Sequence, residues 1–75
     1  MISRQKQTLL TELGACVRRE RVALSMTQER LAELVDINIR TVQKIEAGNI
    51  NILVTTLVRI RKALGCRWNR LLEES

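Results

Sequence analysis

Residues 26–48 read MTQERLAELVDINIRTVQKIEAG, and this stretch decides the fold. Thr27 is a good helix N-cap, and Asp36 can end the helix that follows because aspartate tolerates the left-handed conformation. Asn38 is a second N-cap, and Gly48 closes a second helix. The pattern predicts two short helices joined by a tight turn, at residues 28–35 and 39–47.

Helical periodicity continues on both sides of this pair. Ser3 can cap a long first helix, Gly65 ends a fourth, and a short fifth helix follows. With no proline, three glycines and no linker, residues 1–75 are predicted to form one all-α domain of five helices. The flanking helices are predicted at about residues 4–23, 53–64 and 68–73. The predicted inward-facing residues are Leu9, Leu10, Leu13, Cys16, Val17, Val22 and Leu24 in the first helix, Leu31, Ala32, Leu34 and Val35 in the second, and Leu53, Leu57, Ile60 and Leu64 in the fourth.

The composition argues against an enzyme. The 75 residues include no histidine, which is the usual general base and the commonest metal ligand. Cys16 and Cys66 lack both the further soft ligands that zinc needs and a positioned base, so both are predicted to be reduced thiols in the core. We expect no catalytic residue, no metal and no cofactor. The first residues lack a signal-peptide pattern and no apolar run approaches about 18 residues, so a cytoplasmic location is predicted.

The net charge predicts a polyanionic partner. Thirteen Lys and Arg against eight Asp and Glu give +5, and ten of the thirteen are arginine, whose planar guanidinium suits phosphate and guanine. A membrane partner is disfavoured relative to nucleic acid, because the apolar stripes are needed to bury five helices. Trp68 is the sole aromatic residue, which argues against stacking on single strands. A basic surface without such a partner is the alternative.

The third predicted helix has the side chains that we expect to contact a polyanionic partner. Val42 and Ile45 can face the core, while Arg40, Gln43 and Lys44 share an opposite face that has no acid. A cation in the first helical turn, such as Arg40, is unfavourable unless an anion docks there. Two short helices braced by flanking helices are the helix-turn-helix layout, in which the second helix enters the major groove of duplex DNA. A solvated amphipathic face is the alternative interpretation.

From Leu13 to Leu72 the chain resembles the phage repressor and Cro-type helix-turn-helix family, the xenobiotic-response-element type of bacterial regulator. The resemblance covers about four-fifths of the chain without an insertion. It implies a compact repressor-like fold with the helix-turn-helix at the second and third helices, and a sequence-specific regulator of transcription on double-stranded DNA. Four ordered fragments carry it, namely Met26-Thr27-Gln28-Glu29-Arg30-Leu31-Ala32, Ile37-Asn38, Val42-Gln43-Lys44-Ile45-Glu46-Ala47-Gly48 and Lys62-Ala63-Leu64-Gly65.

The resemblance also implies roles for single residues. Base contacts are implied for Ile39, Arg40 and Lys44, with Thr41 and Gln43 nearby. DNA phosphate contacts are implied for Gln28, Asn38, Asn49 and Asn51. Arg21 and Glu46 match a pair that forms an ion bridge between the first and third helices, and Ala32 matches a small residue where helices cross closely.

The chain departs from the family pattern at five positions. Asp36 replaces the usual glycine, which makes the turn slightly more costly. Ile52 and Leu53 replace a proline and a serine, so the fourth helix has a poor N-cap. Arg67 stands at the capping position of the fifth helix, and Arg61 replaces a small apolar residue in the fourth.

Specific binding by so small a domain usually needs two half-sites about 34 Å apart, so a homodimer on a palindromic operator is predicted. The candidate dimer residues are Val54, Val58, Trp68, Leu71 and Leu72. In the alternative for Trp68, its ring covers the monomer's own core against the first helix. The alternative for the whole chain is an antitoxin or other interaction module that uses the same fold to bind a partner protein.

Overall fold

A computed structural model of the chain describes residues 2–72, which form five α-helices and no strand within that range. The predicted all-α architecture is confirmed. The helix-turn-helix pair packs against the first helix and the fourth, and the fifth helix packs on the first. The helices are α1 (Ile2–Ala23), α2 (Gln28–Val35), α3 (Ile39–Glu46), α4 (Val54–Leu64) and α5 (Trp68–Leu71).

Side-chain caps and a left-handed residue define the turn between α2 and α3. The Thr27 hydroxyl accepts a hydrogen bond from the Arg30 backbone N–H at 3.0 Å. Asn38 Oδ1 accepts one from the Arg40 N–H at 2.8 Å. Asp36 ends α2 with φ 60° and ψ 51°, in the left-handed region. All three predicted features of the turn are therefore confirmed, and they fix how α3 leaves α2.

The helix ends differ from the prediction by one or two residues. Ser3 lies inside α1 and is not its N-cap, because the helix already begins at residue 2. Leu53 is extended and precedes α4, and within the described chain it makes no side-chain cap hydrogen bond, in keeping with its apolar character. The observed ends are residue 2 rather than 4 for α1, 46 rather than 47 for α3, 54 rather than 53 for α4, and 71 rather than 73 for α5; residue 73 lies outside the described residues.

One core joins all five helices. Its buried residues are Leu13, Cys16, Val17, Leu31, Ala32, Val35, Val42, Ile45, Leu57, Ile60, Leu64 and Leu71. Cys66 is half-buried against this core, and the two cysteines are thiols rather than a disulfide. Because α3 contributes Val42 and Ile45, its opposite face is left at the surface.

Five residues predicted to face inward are between 45% and 70% exposed, namely Leu9, Val22, Leu24, Leu34 and Leu53. Those predictions were wrong for geometric reasons. Leu24 and Leu53 lie outside the helices, where helical spacing no longer applies. Leu34 is rotated by roughly 100° from the centre of the buried stripe of α2, and Val22 lies opposite the buried side of α1. Leu9 lies one turn before Leu13, the first buried residue of α1 among the described side chains.

Residues 2–72 lack two features. No helix in this range is long and apolar enough to span a membrane. No group of three or more Cys, Asp or Glu side chains in this range is arranged to hold a metal ion.

Candidate nucleic-acid interface

The outer face of α3 is polar, cationic and accessible. Arg40, Gln43 and Lys44 are all exposed, on the side opposite the buried Val42 and Ile45. The Asn38 side-chain oxygen is already bound to the Arg40 backbone, so its amide nitrogen is the part of that side chain left to donate outward. This surface presents guanidinium, amide and ammonium donors side by side, which is a suitable set for an anionic or acceptor-rich partner.

Glu46, the single acid in α3, is withdrawn from that face. Its carboxylate accepts two hydrogen bonds from Arg21, from Nε at 2.7 Å and from the terminal nitrogen at 3.0 Å. The Arg21 guanidinium also donates to the Met26 carbonyl at 2.7 Å, so the pair ties α1, the loop before α2 and α3 together. Only 11% of the Arg21 side chain and 4% of the Glu46 side chain are exposed. The carboxylate is therefore paired and shielded, and the exposed face of α3 keeps its positive charge.

Gln28 belongs to the same network. It is the first residue of α2, half-buried, and its Nε2 donates to Glu46 at 3.0 Å. A primary amide nitrogen carries two hydrogens, so one remains for an acceptor outside the protein. The structure thus shows a bond for Gln28 that the sequence did not suggest.

The remaining residues predicted to contact DNA divide into two groups. Ile39 and Thr41 are half-buried, and Ile39 packs against the core, so both contribute less surface to the face than Arg40 does. Asn49 and Asn51 are exposed in the loop after α3. The Asn49 backbone N–H donates to the Lys44 carbonyl at 2.8 Å, which folds the loop back on the helix end.

Gly14 positions α3, and sequence reasoning missed it. A Cβ at Gly14 would lie 2.3 Å from the Ile45 carbonyl oxygen and 2.7 Å from that of Glu46. The backbone of α1 and the last turn of α3 therefore touch without a side chain between them. A signal was available: glycine inside a long helix costs about 0.5–1 kcal/mol relative to alanine, so its presence at this position needs a packing reason.

The α4–α5 surface carries the predicted dimer residues. Val54, Trp68 and Leu72 are exposed and Val58 is half-buried. Leu71 is a correction, because it is only 1% exposed: it is the inward residue of α5 and belongs to the monomer core. The Trp68 ring lies under the Arg61 guanidinium, 5.2 Å from the ring centroid.

Charged groups dock α5 on α1. Arg70 donates to Glu20 Oε2 at 3.1 Å, and Arg19 donates both to the same oxygen at 3.1 Å and to the Arg70 carbonyl at 2.7 Å. Burial raises the pKa of Glu20, but hydrogen bonds from Arg19 and Arg70 and their positive charges outweigh it and hold the pKa below its ordinary value.

Burial and the nearby Glu20 raise the pKa of the Cys66 thiol, so that thiol is a poor nucleophile at neutral pH.

Comparisons with known proteins agree with this geometry. The family model of a helix-turn-helix matches residues 17–71. Among solved structures, the chain is similar to the restriction-modification controller protein C.AhdI from Aeromonas hydrophila, with a TM-score of 0.79 and 27% sequence identity. That similarity covers 83% of this chain and 94% of the other. No significant match was found among curated proteins.

Proposed function

Because the chain belongs to the Cro-type helix-turn-helix family of DNA-binding transcriptional regulators, we propose that it recognises a specific duplex sequence by placing α3 in the major groove. One observation carries the proposal: Arg40, Gln43 and Lys44 are exposed on α3 while its only acid, Glu46, is paired and shielded. An exposed carboxylate there would repel phosphate and base acceptors. The family is a class of DNA-binding regulators rather than of enzymes.

The exposed side chains match base edges. Arg40 and Lys44 donate to guanine O6 and N7, and the Gln43 amide can pair with adenine. An α-helix with its side chains is about 10–12 Å across, which fits a major groove about 12 Å wide. Ile39 and Thr41, being half-buried, are left with apolar or short-range contacts, for instance with a thymine methyl group.

Neutral amides supply the phosphate contacts. Gln28 uses its second amide hydrogen at the start of α2, and Asn38 uses its side-chain nitrogen at the start of α3. Asn49 and Asn51 are exposed just beyond the C-terminal end of α3. Contacts of this kind fix the register and orientation of a protein on the duplex, while the base contacts specify the sequence.

The protein acts as a homodimer on a palindromic operator, in the cytoplasm. The exposed apolar side chains of Val54, Trp68 and Leu72, with the half-buried Val58, support a two-fold contact through α4 and α5. Two copies related in this way read two half-sites about 34 Å apart. The same apolar surface would also suit a partner protein, which is the competing use of this face.

Selection of bound sites from random duplex DNA tests the proposal. We expect an enriched palindromic motif with wild-type protein and loss of enrichment with the double variant Arg40→Ala/Lys44→Ala. The matched control is Arg59→Ala, which removes an exposed cation from the outer side of α4. Failure of the wild-type protein to enrich any motif above background would overturn the proposal and favour the partner-protein function.

A further inference from the structure

We propose that one edge of α1, formed by Gln7, Thr11 and Gly14, is a positioning element for DNA recognition that lies outside the helix-turn-helix itself. This inference rests on the proposed function, because it concerns how accurately α3 is held for base contacts. The three residues are spaced i, i+4 and i+7, so they lie along one side of the helix. All three face the end of α3 or the loop that follows it.

At Gly14 the two backbones are in direct contact. The Cβ of any other residue would lie 2.3 Å from the Ile45 carbonyl oxygen, whereas ordinary contact begins at 3.4 Å. The obstacle is backbone and not a flexible side-chain end, so α3 itself would have to move by about 1 Å. The length of α1, 22 residues, makes it a rigid support for this contact.

At Gly48 the loop after α3 meets the same edge. A Cβ on Gly48 would lie 2.8 Å from the Thr11 Cα, and its φ of +74° is itself unfavourable for other residues. Gln7 Nε2 donates to the Gly48 carbonyl at 3.0 Å and to the Thr11 hydroxyl at 3.2 Å. The loop that carries Asn49 is therefore fastened to α1 by a side-chain hydrogen bond as well as by close packing.

A displacement at this edge should affect sequence-specific and non-specific DNA binding differently. Hydrogen bonds to base edges need donor–acceptor distances of about 2.7–3.2 Å, so a shift of about 1 Å at the end of α3 misplaces Lys44. Attraction to the phosphate backbone depends mainly on the number of cations and tolerates such a shift. Disturbing the edge should therefore reduce specific binding and leave non-specific binding nearly unchanged.

The test measures binding to the selected operator and to a scrambled duplex of equal length, by fluorescence anisotropy at fixed salt. Gly14→Ala is paired with Gly65→Ala, where the added Cβ meets no described atom within 4 Å and only the left-handed φ of +63° is strained. Gln7→Ala is paired with Gln5→Ala, an exposed glutamine on the other side of α1. Circular dichroism identifies a temperature at which the variants are folded, and binding is measured at that temperature.

We expect the ratio of specific to non-specific affinity to fall about 10- to 100-fold in Gly14→Ala and about 2- to 10-fold in Gln7→Ala, and to stay at the wild-type value in both controls. The inference is overturned if Gln7→Ala behaves as Gln5→Ala, which decides the matter even if Gly14→Ala does not fold. It is also overturned if folded Gly14→Ala keeps the wild-type ratio. A wild-type protein that shows no operator preference would instead refute the proposed function.

Discussion

Arg21 and Glu46 form a bidentate ion pair between the end of α1 and the end of α3. The distances from the two guanidinium nitrogens to the two carboxylate oxygens are 2.7 and 3.0 Å. The pair has two consequences for the interface. It fixes the C-terminal end of α3, and it removes the helix's only negative charge from the exposed face. A carboxylate bound by two nitrogens of one guanidinium is held in a defined plane, which a single contact would not achieve.

Removing one partner of this pair should be costly. In Arg21→Ala the shielded Glu46 carboxylate keeps, among the described residues, only Gln28 as a partner, and we expect a loss of about 3–5 kcal/mol in the free energy of unfolding. The control is Arg30→Ala, whose pair with Glu33 is 4.0 Å long and exposed, and which should cost about 0.5 kcal/mol or less. Urea unfolding measures both. Equal losses in the two variants would contradict the structural role of the pair.

The cations of α3 should matter more than cations elsewhere. Arg40→Ala and Lys44→Ala should each weaken operator binding by about 1–3 kcal/mol and relax the preference at one base pair, because each removes a donor to a base edge. Arg59→Ala removes the same charge from the outer side of α4 and should leave the base preference unchanged. Titration of operator variants measures this, and an Arg59→Ala effect as large as that of Arg40→Ala would contradict the assignment.

The local features of the fold could be predicted from the sequence. Caps at Thr27 and Asn38 and the left-handed Asp36 involve hydrogen bonds and torsions within a few residues, so the residue type alone indicates them. The exposed positions of Arg40 and Lys44 follow in the same way from the helical period and the apolar residues opposite.

Features that depend on packing could not be predicted. Leu34 and Leu71 are both leucines, but Leu34 is exposed and Leu71 is buried, because burial depends on which side of each helix meets a neighbour. The contact of Gly14 with the carbonyl of Ile45 joins residues far apart in the chain, so a glycine inside a helix indicates a close contact without showing which residue makes it. The bond from Gln28 to Glu46 is likewise a product of the folded arrangement.

The α4–α5 surface should control oligomeric state. Val54 is 75% exposed, so Val54→Asp leaves the monomer core intact while placing a buried charge in a two-fold contact through α4 and α5. We expect wild-type protein to sediment as a dimer at about micromolar concentration and Val54→Asp as a monomer. The control is Val22→Asp on the outer side of α1, which should remain dimeric. A monomeric wild-type protein that binds half-sites without cooperativity would contradict a preformed dimer.

Replacing Asp36 by glycine should stabilise the folded protein. Its φ of 60° is strained for a residue with a Cβ and costs glycine almost nothing. Asp36→Gly should therefore raise the free energy of unfolding by about 0.5–1 kcal/mol, which corresponds to about 2–8 °C in Tm. Gly65→Ala, at a similar φ of 63°, makes the opposite change and should lower Tm. Calorimetry measures both, and a lower Tm in Asp36→Gly would show that the aspartate side chain itself stabilises the turn.

Glu20 should make the docking of α5 dependent on pH. Hydrogen bonds from Arg19 and Arg70 hold the pKa of this carboxyl below its ordinary value of 4.5 in the folded protein, despite the opposing effect of burial. A carboxyl group whose pKa is lower in the folded than in the unfolded protein contributes its full stabilisation at a pH above the unfolded-state pKa. That contribution is lost as the pH falls through the lower pKa of the folded state. The difference in Tm between wild type and Glu20→Gln should be constant near neutral pH and shrink below about pH 4.5.

Glu33→Gln provides the control for this pH dependence, because that carboxylate is exposed and its distance from the Arg30 cation is as long as 4.0 Å. Its difference from wild type should be small at every pH, since exposed ion pairs contribute little. Melting curves at intervals from about pH 7 to about pH 3 make the comparison. A Glu20→Gln difference close to zero at every pH would mean that Leu71 and the other apolar contacts alone hold α5 on α1, and that the three charged side chains contribute nothing to its docking.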